Sequence, residues 1–237
     1  FRLIQYGDAD IIVCGGSDAT ITPMGIAGFS NMKALSTHQD PTCASRPFDL
    51  NRNGFVIAEG SGTIILEELE HALNRNAKIY GEIIGYGASA DAYHLTAPEP
   101  SGRGASIAMI KALTDAKISY EKIDYINAHG TSTKLNDKIE TIAIKKVFKN
   151  LSKNVTISST KSMMGHLLGA AGAVELIVCL IAMNEQFIPP TINYETSDID
   201  CDLNYTPNKP INKLTNYCMS NNFGFGGHNA SLIVKKF

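Results

Sequence analysis

Three segments of this chain close an apolar run with residues that can move protons or hold a developing charge. In Tyr125–Thr133, YINAHGTST, His129 follows a short apolar stretch and precedes Gly130 and a Thr-x-Thr pair, Thr131 and Thr133. A side chain just past a buried strand stands on a rigid scaffold and still reaches a cleft. In Ser158–Gly172, SSTKSMMGHLLGAAG, Lys161 closes a strand and His166 opens a helix rich in Gly and Ala. A histidine at a helix N-terminus feels the positive end of the peptide dipoles, which favours the neutral imidazole. A neutral imidazole can donate a hydrogen bond to a carbonyl that is gaining negative charge. In Asn221–Asn229, NNFGFGGHN, the glycines let backbone approach a ligand closely, and backbone N–H groups of such a turn can form an oxyanion hole.

Taken singly, most of these features have a plainer reading. His129 fits a core histidine satisfied by a backbone carbonyl, the Gly-Ala run fits close helix packing, and NNFGFGGHN fits a tight strand-to-strand turn. Lys161 and His166 have no such structural reading. Other motifs fail on spacing. SDIDCDLNYT alternates Asp198, Asp200 and Asp202 as a calcium loop would, but Leu203 stands where Gly is required and Lys209 where the bidentate Glu belongs. GTSTK lacks the frame of a phosphate-cradling loop, and no helix follows the glycines of NNFGFGGHN as a dinucleotide fingerprint requires. The histidines never fall at metal-ligand spacing, so no metal site is expected.

The elements that must position these residues alternate between strand and helix. DIIVCGG (10–16) reads as a buried strand, and Pro23 to Leu35 as a helix with Thr22 as N-cap. Residues 36–54 form a long polar loop with two prolines, and FVIAEGSGTIILEEL reads as two strands around a Gly-rich turn. A short helix at 68–75 precedes a new start near Ala77–Lys78, where KIYGEIIGYGASADA is a glycine-punctuated strand. Helices follow at Arg103–Ala116, Asn136–Phe148 and Gly165–Met183, with strands at IDYINAHG, VTISSTK, YCMSN and ASLIVKK. This alternation predicts an α/β fold with sheets covered by helices.

Composition narrows the function classes. A net charge of −2 with scattered lysines offers no concentrated basic surface for nucleic acid. Five cysteines with no C-x-x-C spacing argue against a disulfide framework or zinc site and for a reducing compartment. The longest apolar run, Ala170–Met183, is broken by Glu175, so membrane insertion is not expected, and the N-terminus does not read as a signal peptide. FRLIQYG reads as the last turns of a helix closed by Gly7, which predicts a piece of a longer chain.

Taken in order, NAHGTST, STKSMMGHLLGAAGAVE and NNFGFGGHN resemble the β-ketoacyl-acyl-carrier-protein synthases, and most nearly the elongating type II and type I enzymes of fatty-acid synthesis. YGDADIIVCGG, ASRPFD, NGFVIAEGSG and DAYHLTAPEP extend the resemblance over the whole chain. It implies a thiolase-like layered αβαβα fold in a homodimer, with 1–77 the end of an N-terminal half and 78–237 the C-terminal half. The implied reaction is a decarboxylating Claisen condensation of an acyl-thioester with malonyl-acyl-carrier protein. No cofactor is implied, since phosphopantetheine arrives on the carrier protein. By the same resemblance His129 and His166 donate hydrogen bonds to the malonyl thioester oxygen, and Lys161 supports them electrostatically. Glu140 is then the expected partner of Lys161 within the pattern Asn136, Asp137, Glu140; Thr131 and Thr133 bind the phosphopantetheine arm, and Phe223 gates the nucleophile. The backbone N–H of Phe223 is the expected oxyanion donor. None of the five cysteines matches the family's nucleophile motif, so these 237 residues alone are not expected to form an acyl-enzyme. Asn222, Lys134 and Met164 depart from the commoner Ser or Ala, Pro and Thr of the family. A polyketide ketosynthase domain and a non-catalytic pairing subunit are the competing readings, and the compartment implied is cytoplasm or the interior of a plastid or mitochondrion.

Overall fold

The computed structural model describes residues 1–237. Its elements in chain order are α1 (Arg2–Gln5), β1 (Ile11–Asp18), α2 (Pro23–Asn31), β2 (Gly60–Glu67), α3 (Leu69–Asn74), β3 (Glu82–Ala90), α4 (Arg103–Ala116), β4 (Tyr125–Asn127), α5 (Lys134–Phe148) and β5 (Thr156–Ser158). There follow α6 (Lys161–Met164), α7 (Ala171–Glu185), β6 (Phe187–Ile188), β7 (Ile211–Asn212), β8 (Tyr217–Gly224) and β9 (His228–Lys235). The Thr22 hydroxyl caps α2 by accepting from the Gly25 N–H, and Pro23 begins that helix, as the sequence predicts.

Five strands form one mixed sheet in the order β3-β9-β8-β4-β5. The β8–β9 hairpin and the β3–β9 pair are antiparallel, whereas β8, β4 and β5 run parallel. Every residue of β4 and β5 is buried, which a parallel sheet covered on both faces requires. On one face α4 and α5 close a core that includes Met109, Ile126, Ile144, Phe148 and Met219. On the other face α7 packs Leu176, Cys179 and Met183 against Tyr125, Cys218 and Val234. The far side of α7 meets the separate β1–β2 ribbon, so helix, sheet, helix and ribbon are stacked in sequence.

Several boundaries depart from the sequence-based expectation. Only Gly60–Glu67 is a strand in the stretch read as two, since Phe55 and Ile57 make isolated bridges to Leu35 and His166. The single helix expected at Gly165–Met183 is instead a 3₁₀ turn at Leu168–Ala170 followed by α7, with the short α6 ahead of it. Gly165 at φ +72° ends α6, and Leu168 at φ +46° forbids a continuous helix through His166. The polar loop at 36–54 is buried from Ala44 to Asp49, where Arg52 pins it by donating to the carbonyl oxygens of Asp49, Thr133 and Lys134 and to Asp198 Oδ2. One stretch, Leu168–Glu185, is long and apolar enough to cross a membrane by composition. Here its helical part is the middle layer of the stack, and its one internal charge, Glu175, is buried against a lysine.

Candidate active site

The parallel run β8, β4, β5 explains why three motifs far apart in sequence meet. Each strand delivers its carboxyl end to the same edge of the sheet, where ligand sites of open α/β sheets form. His129 lies two residues past β4, Lys161 three past β5, and Phe223 one residue before the end of β8. A cavity of about 880 Å³ opens at that edge. His129, His166, Thr131, Thr133 and Phe223 all line it, as does Phe55 from the N-terminal segment.

The two histidine rings stand edge to face with centroids 5.3 Å apart, and the Phe223 ring lies tilted 5.9 Å from that of His129. Phe55 packs edge-on against His166 at 5.1 Å. His166 does not open a helix. Its backbone pairs with the 56–58 segment, donating its N–H to Val56 and accepting from Ala58, and α7 starts only at Ala171. The helix dipole therefore does not account for its charge state. Burial, and next the positive charge of Lys161, push its pKa down to about 3. The Leu168 N–H donates to His166 Nδ1 at 3.1 Å. That fixes the neutral tautomer with its proton on Nε2, free to donate. Burial, Lys161 and His166 together hold the buried His129 well below the ordinary histidine value. Its Nδ1 is buried with no partner.

Lys161, Glu140 and Asp137 do not line the cavity but sit behind it, fully buried. The ammonium of Lys161 pairs with Glu175 Oε1, not with Glu140. Glu140 instead takes the His129 N–H on one oxygen at 2.9 Å and the Gly130 N–H on the other at 2.8 Å. It thus fixes the backbone that carries His129, and burial raises its pKa to about 7 against those donors. Asp137 accepts from the Phe48 N–H at 2.8 Å and lies 3.6 Å from Arg52, so it ties the 44–52 loop to α5. The Thr131 and Thr133 hydroxyls contact each other at 2.9 Å, and Thr133 also caps α5. Gly130 is needed for closeness: a Cβ there would stand 2.5 Å from that of Ser159.

Glu175 is the buried partner of Lys161 that sequence reasoning does not single out. Its signal was present, since it is a lone acid in the apolar run AGAVELIVCL, and a buried carboxylate needs a partner. None of the five cysteines lines the cavity; Cys179, Cys201 and Cys218 are buried, and Cys14 and Cys43 are partly exposed elsewhere.

Two family models match the chain. Residues 80–195 match the family described as "Beta-ketoacyl synthase, C-terminal domain", and residues 1–72 match "Beta-ketoacyl synthase, N-terminal domain". Among curated relatives, 3-oxoacyl-[acyl-carrier-protein] synthase 2 of Synechocystis sp. is 53% identical over 100% of this chain and 57% of that protein. A putative mitochondrial 3-oxoacyl-[acyl-carrier-protein] synthase of Schizosaccharomyces pombe is 50% identical, with the same two coverages. The chain therefore spans about 57% of the length of these relatives. Among solved structures, a ketosynthase determined with its type II PKS acyl-carrier protein superposes with a TM-score of 0.98 at 40% identity, covering 100% of this chain and 58% of that one. A beta-ketoacyl synthase of Burkholderia phymatum gives 0.93 at 38% identity, with coverages of 100% and 57%. The fold is that of the ketosynthases, the thiolase-like α/β architecture the motifs implied.

Proposed function

The chain belongs to the beta-ketoacyl synthase family, and from that premise we propose that it carries the decarboxylating side of a Claisen condensation. In the whole enzyme an acyl-thioester would condense with malonyl-acyl-carrier protein to give 3-oxoacyl-acyl-carrier protein and carbon dioxide. The observation that carries this reading is the pair of neutral imidazoles on one cavity wall, His166 with its Nε2 proton unengaged. Loss of carbon dioxide leaves negative charge on the malonyl thioester oxygen. Two neutral donors there stabilise it, whereas a base would not, and each such donor contributes roughly a hundred- to a thousand-fold in rate.

In this reading Lys161 adds a fixed positive charge behind both rings, and Glu175 takes the partner's place expected of Glu140. Glu140 and Asp137 hold backbone. Thr131 and Thr133, with hydroxyls on the cavity wall, bind the phosphopantetheine arm of the carrier protein, so no cofactor of the enzyme's own is required. Phe223 gates the nucleophile, and its backbone N–H is the oxyanion donor. The nucleophilic cysteine is proposed to come from outside these residues, because no cysteine here reaches the cavity.

Fatty-acid chain elongation is favoured over polyketide synthesis because the curated relatives at about 50% identity are named 3-oxoacyl-[acyl-carrier-protein] synthases, whereas the type II PKS ketosynthase is 40% identical. Residues 1–77 are proposed as the end of the N-terminal half and 78–237 as the C-terminal half, supported by the separate β1–β2 ribbon and five-stranded sheet. A homodimer, an acyl-carrier-protein partner and a reducing compartment complete the reading, the last supported by five unpaired cysteines. The test is carbon dioxide release from malonyl-acyl-carrier protein by the complete enzyme, with the intact mass of this 237-residue chain after incubation with long-chain acyl-carrier protein. Release and no adduct are expected. No release overturns the function, and an acyl adduct on one of the five cysteines overturns the placement of the nucleophile.

A further inference from the structure

The Lys161–Glu175 pair has a third member that the proposed chemistry does not use. Glu175 is 1% exposed, and each of its oxygens takes a different donor. Lys161 Nζ holds Oε1, and Asn222 Nδ2 donates to Oε2 at 2.9 Å. Three elements meet there, since Lys161 comes from α6, Glu175 from α7 and Asn222 from β8. Asn222 is also the residue immediately before Phe223. Successive side chains of a strand point to opposite faces. Asn222 therefore reaches α7, while Phe223 on the other face packs against the α4–α5 core and stands 5.9 Å from His129.

We infer that Asn222 is a positioning residue for the decarboxylation: its amide fixes the Glu175 carboxylate, and through it the Lys161 ammonium, to the strand that carries the gate. The inference rests on the function proposed above. The groups facing Glu175 are Lys161 from α6, Asn222 from β8 and the phenol of Tyr125 from β4, raised chiefly by its burial and least by the carboxylate charge. Burial pushes the Glu175 carboxyl up, and Lys161 and Asn222 pull it back toward the charged form. With the amide gone, Glu175 takes a proton at higher pH. A neutral Glu175 no longer fixes the ammonium, whose charge depresses both histidines. A Ser at this position would keep a donor to Glu175 Oε2 but place it one bond further back than the Asn222 amide.

The experiment measures carbon dioxide release from malonyl-acyl-carrier protein against pH in the complete enzyme, for the native protein, Asn222→Leu and Asn222→Ser. Melting temperature serves as the fold control. One lost hydrogen bond to a charged group corresponds to an acid limb moved up by about one pH unit in Asn222→Leu. Asn222→Ser, which retains a donor, moves it back at least halfway. A folded Asn222→Leu with an unmoved limb, or a Ser variant no better than Leu, overturns the inference. If Asn222→Leu fails to fold, Asn222→Asp keeps the shape and places a second carboxylate beside Glu175; its limb is expected still higher, and an unmoved limb is equally fatal. A ¹³C titration of the glutamate carboxyls, with Glu175 assigned by its loss in Glu175→Gln, reads the same shift without turnover. Native enzyme that releases no carbon dioxide therefore removes the proposed function, while the titration still decides whether Asn222 governs Glu175.

Discussion

The chain before Ala44 and the chain after it are held together differently. All 74 buried residues lie at or beyond Ala44, and none of residues 1–43 is buried. In β1 the inward Ile12 and Cys14 are half-covered by α7, but the outward Val13 is 68% exposed, as is its cross-strand neighbour Ile65 at 63%. Strand β4, by contrast, is covered on both faces. Both histidines lean on the second region, through Glu140, Lys161 and Leu168. From before Ala44, Asp18 Oδ2 accepts from the Gly169 N–H at 3.1 Å, whereas the backbone pairing of His166 comes from the 56–58 segment beyond that boundary.

The sharpest contrast is expected at the buried ion pair. Glu175→Ala leaves the Lys161 ammonium without a counter-charge in a site 2% exposed, and such a loss costs about 3–5 kcal/mol of stability. Urea unfolding measures it. Removing both charges, as Lys161→Met with Glu175→Leu, restores most of that loss, because desolvation of the ions is avoided. If the double variant is as unstable as the single one, packing rather than charge holds α6 to α7.

Next in size are the histidines. His129→Ala or His166→Ala in the complete enzyme lowers decarboxylation by roughly a hundred- to a thousand-fold while cysteine acylation survives. Normal carbon dioxide release in either variant removes that residue's role. The same burial fixes a stability trend. His166 has its pKa lowered to about 3 from 6.5, so across that window the unfolded chain binds the extra proton. Stability contributed by the neutral ring is full above pH 6.5 and is lost as pH falls toward 3. Glu140, raised from 4.5 to about 7, acts in the opposite sense, because its folded form keeps the proton. Its contribution is full below pH 4.5 and fades as pH rises through 7. His166→Phe should therefore flatten the loss of stability between pH 6 and 4, measured by denaturant midpoints at each pH; an unchanged slope means that His166 is not the titrating group.

What could be read beforehand divides along a physical line. Helices α4 and α5, the β8–β9 hairpin and the strand ends bearing His129 and Phe223 are legible because periodicity and turn residues are local signals. The break of the His166 helix is not, because Leu168 adopts φ +46° against its own preference beside a His166 that pairs with Ile57, more than a hundred residues away. The partner of Lys161 is not legible either, for a related reason. Glu140 and Glu175 are both acids on helices near the site, and sequence does not say which helix turns its acid toward α6. The resemblance supplied residue types, and the fold supplied the pairing.

A smaller effect is expected where the two regions touch. A Cβ on Gly16 would stand 2.3 Å from the Gly169 carbonyl oxygen, a backbone atom in the 3₁₀ turn after His166. Gly16→Ala must push the β1–β2 ribbon or that turn aside, and overpacking of this kind costs about 1–3 kcal/mol. The displaced turn also carries the Leu168 N–H that sets the His166 tautomer, so decarboxylation should fall with stability. Loss of stability with unaltered decarboxylation would show that the ribbon yields and the turn does not.

The smallest effect belongs on the open face of the ribbon. Val13→Thr keeps a β-branched side chain in a strand position and alters one methyl group that already meets solvent in this 237-residue chain. Substitution at such an exposed site changes stability by less than about 0.5 kcal/mol. Ile126→Thr on β4 is the matched control, because the residue is fully buried and a hydroxyl there has no water to meet. Its cost should exceed that of Val13→Thr several-fold by denaturant midpoint. Equal costs would mean that the outer face of β1–β2 is covered in solution, by a second copy or by other chain, and the contrast between the two regions would then reflect what surrounds the ribbon and not how it is built.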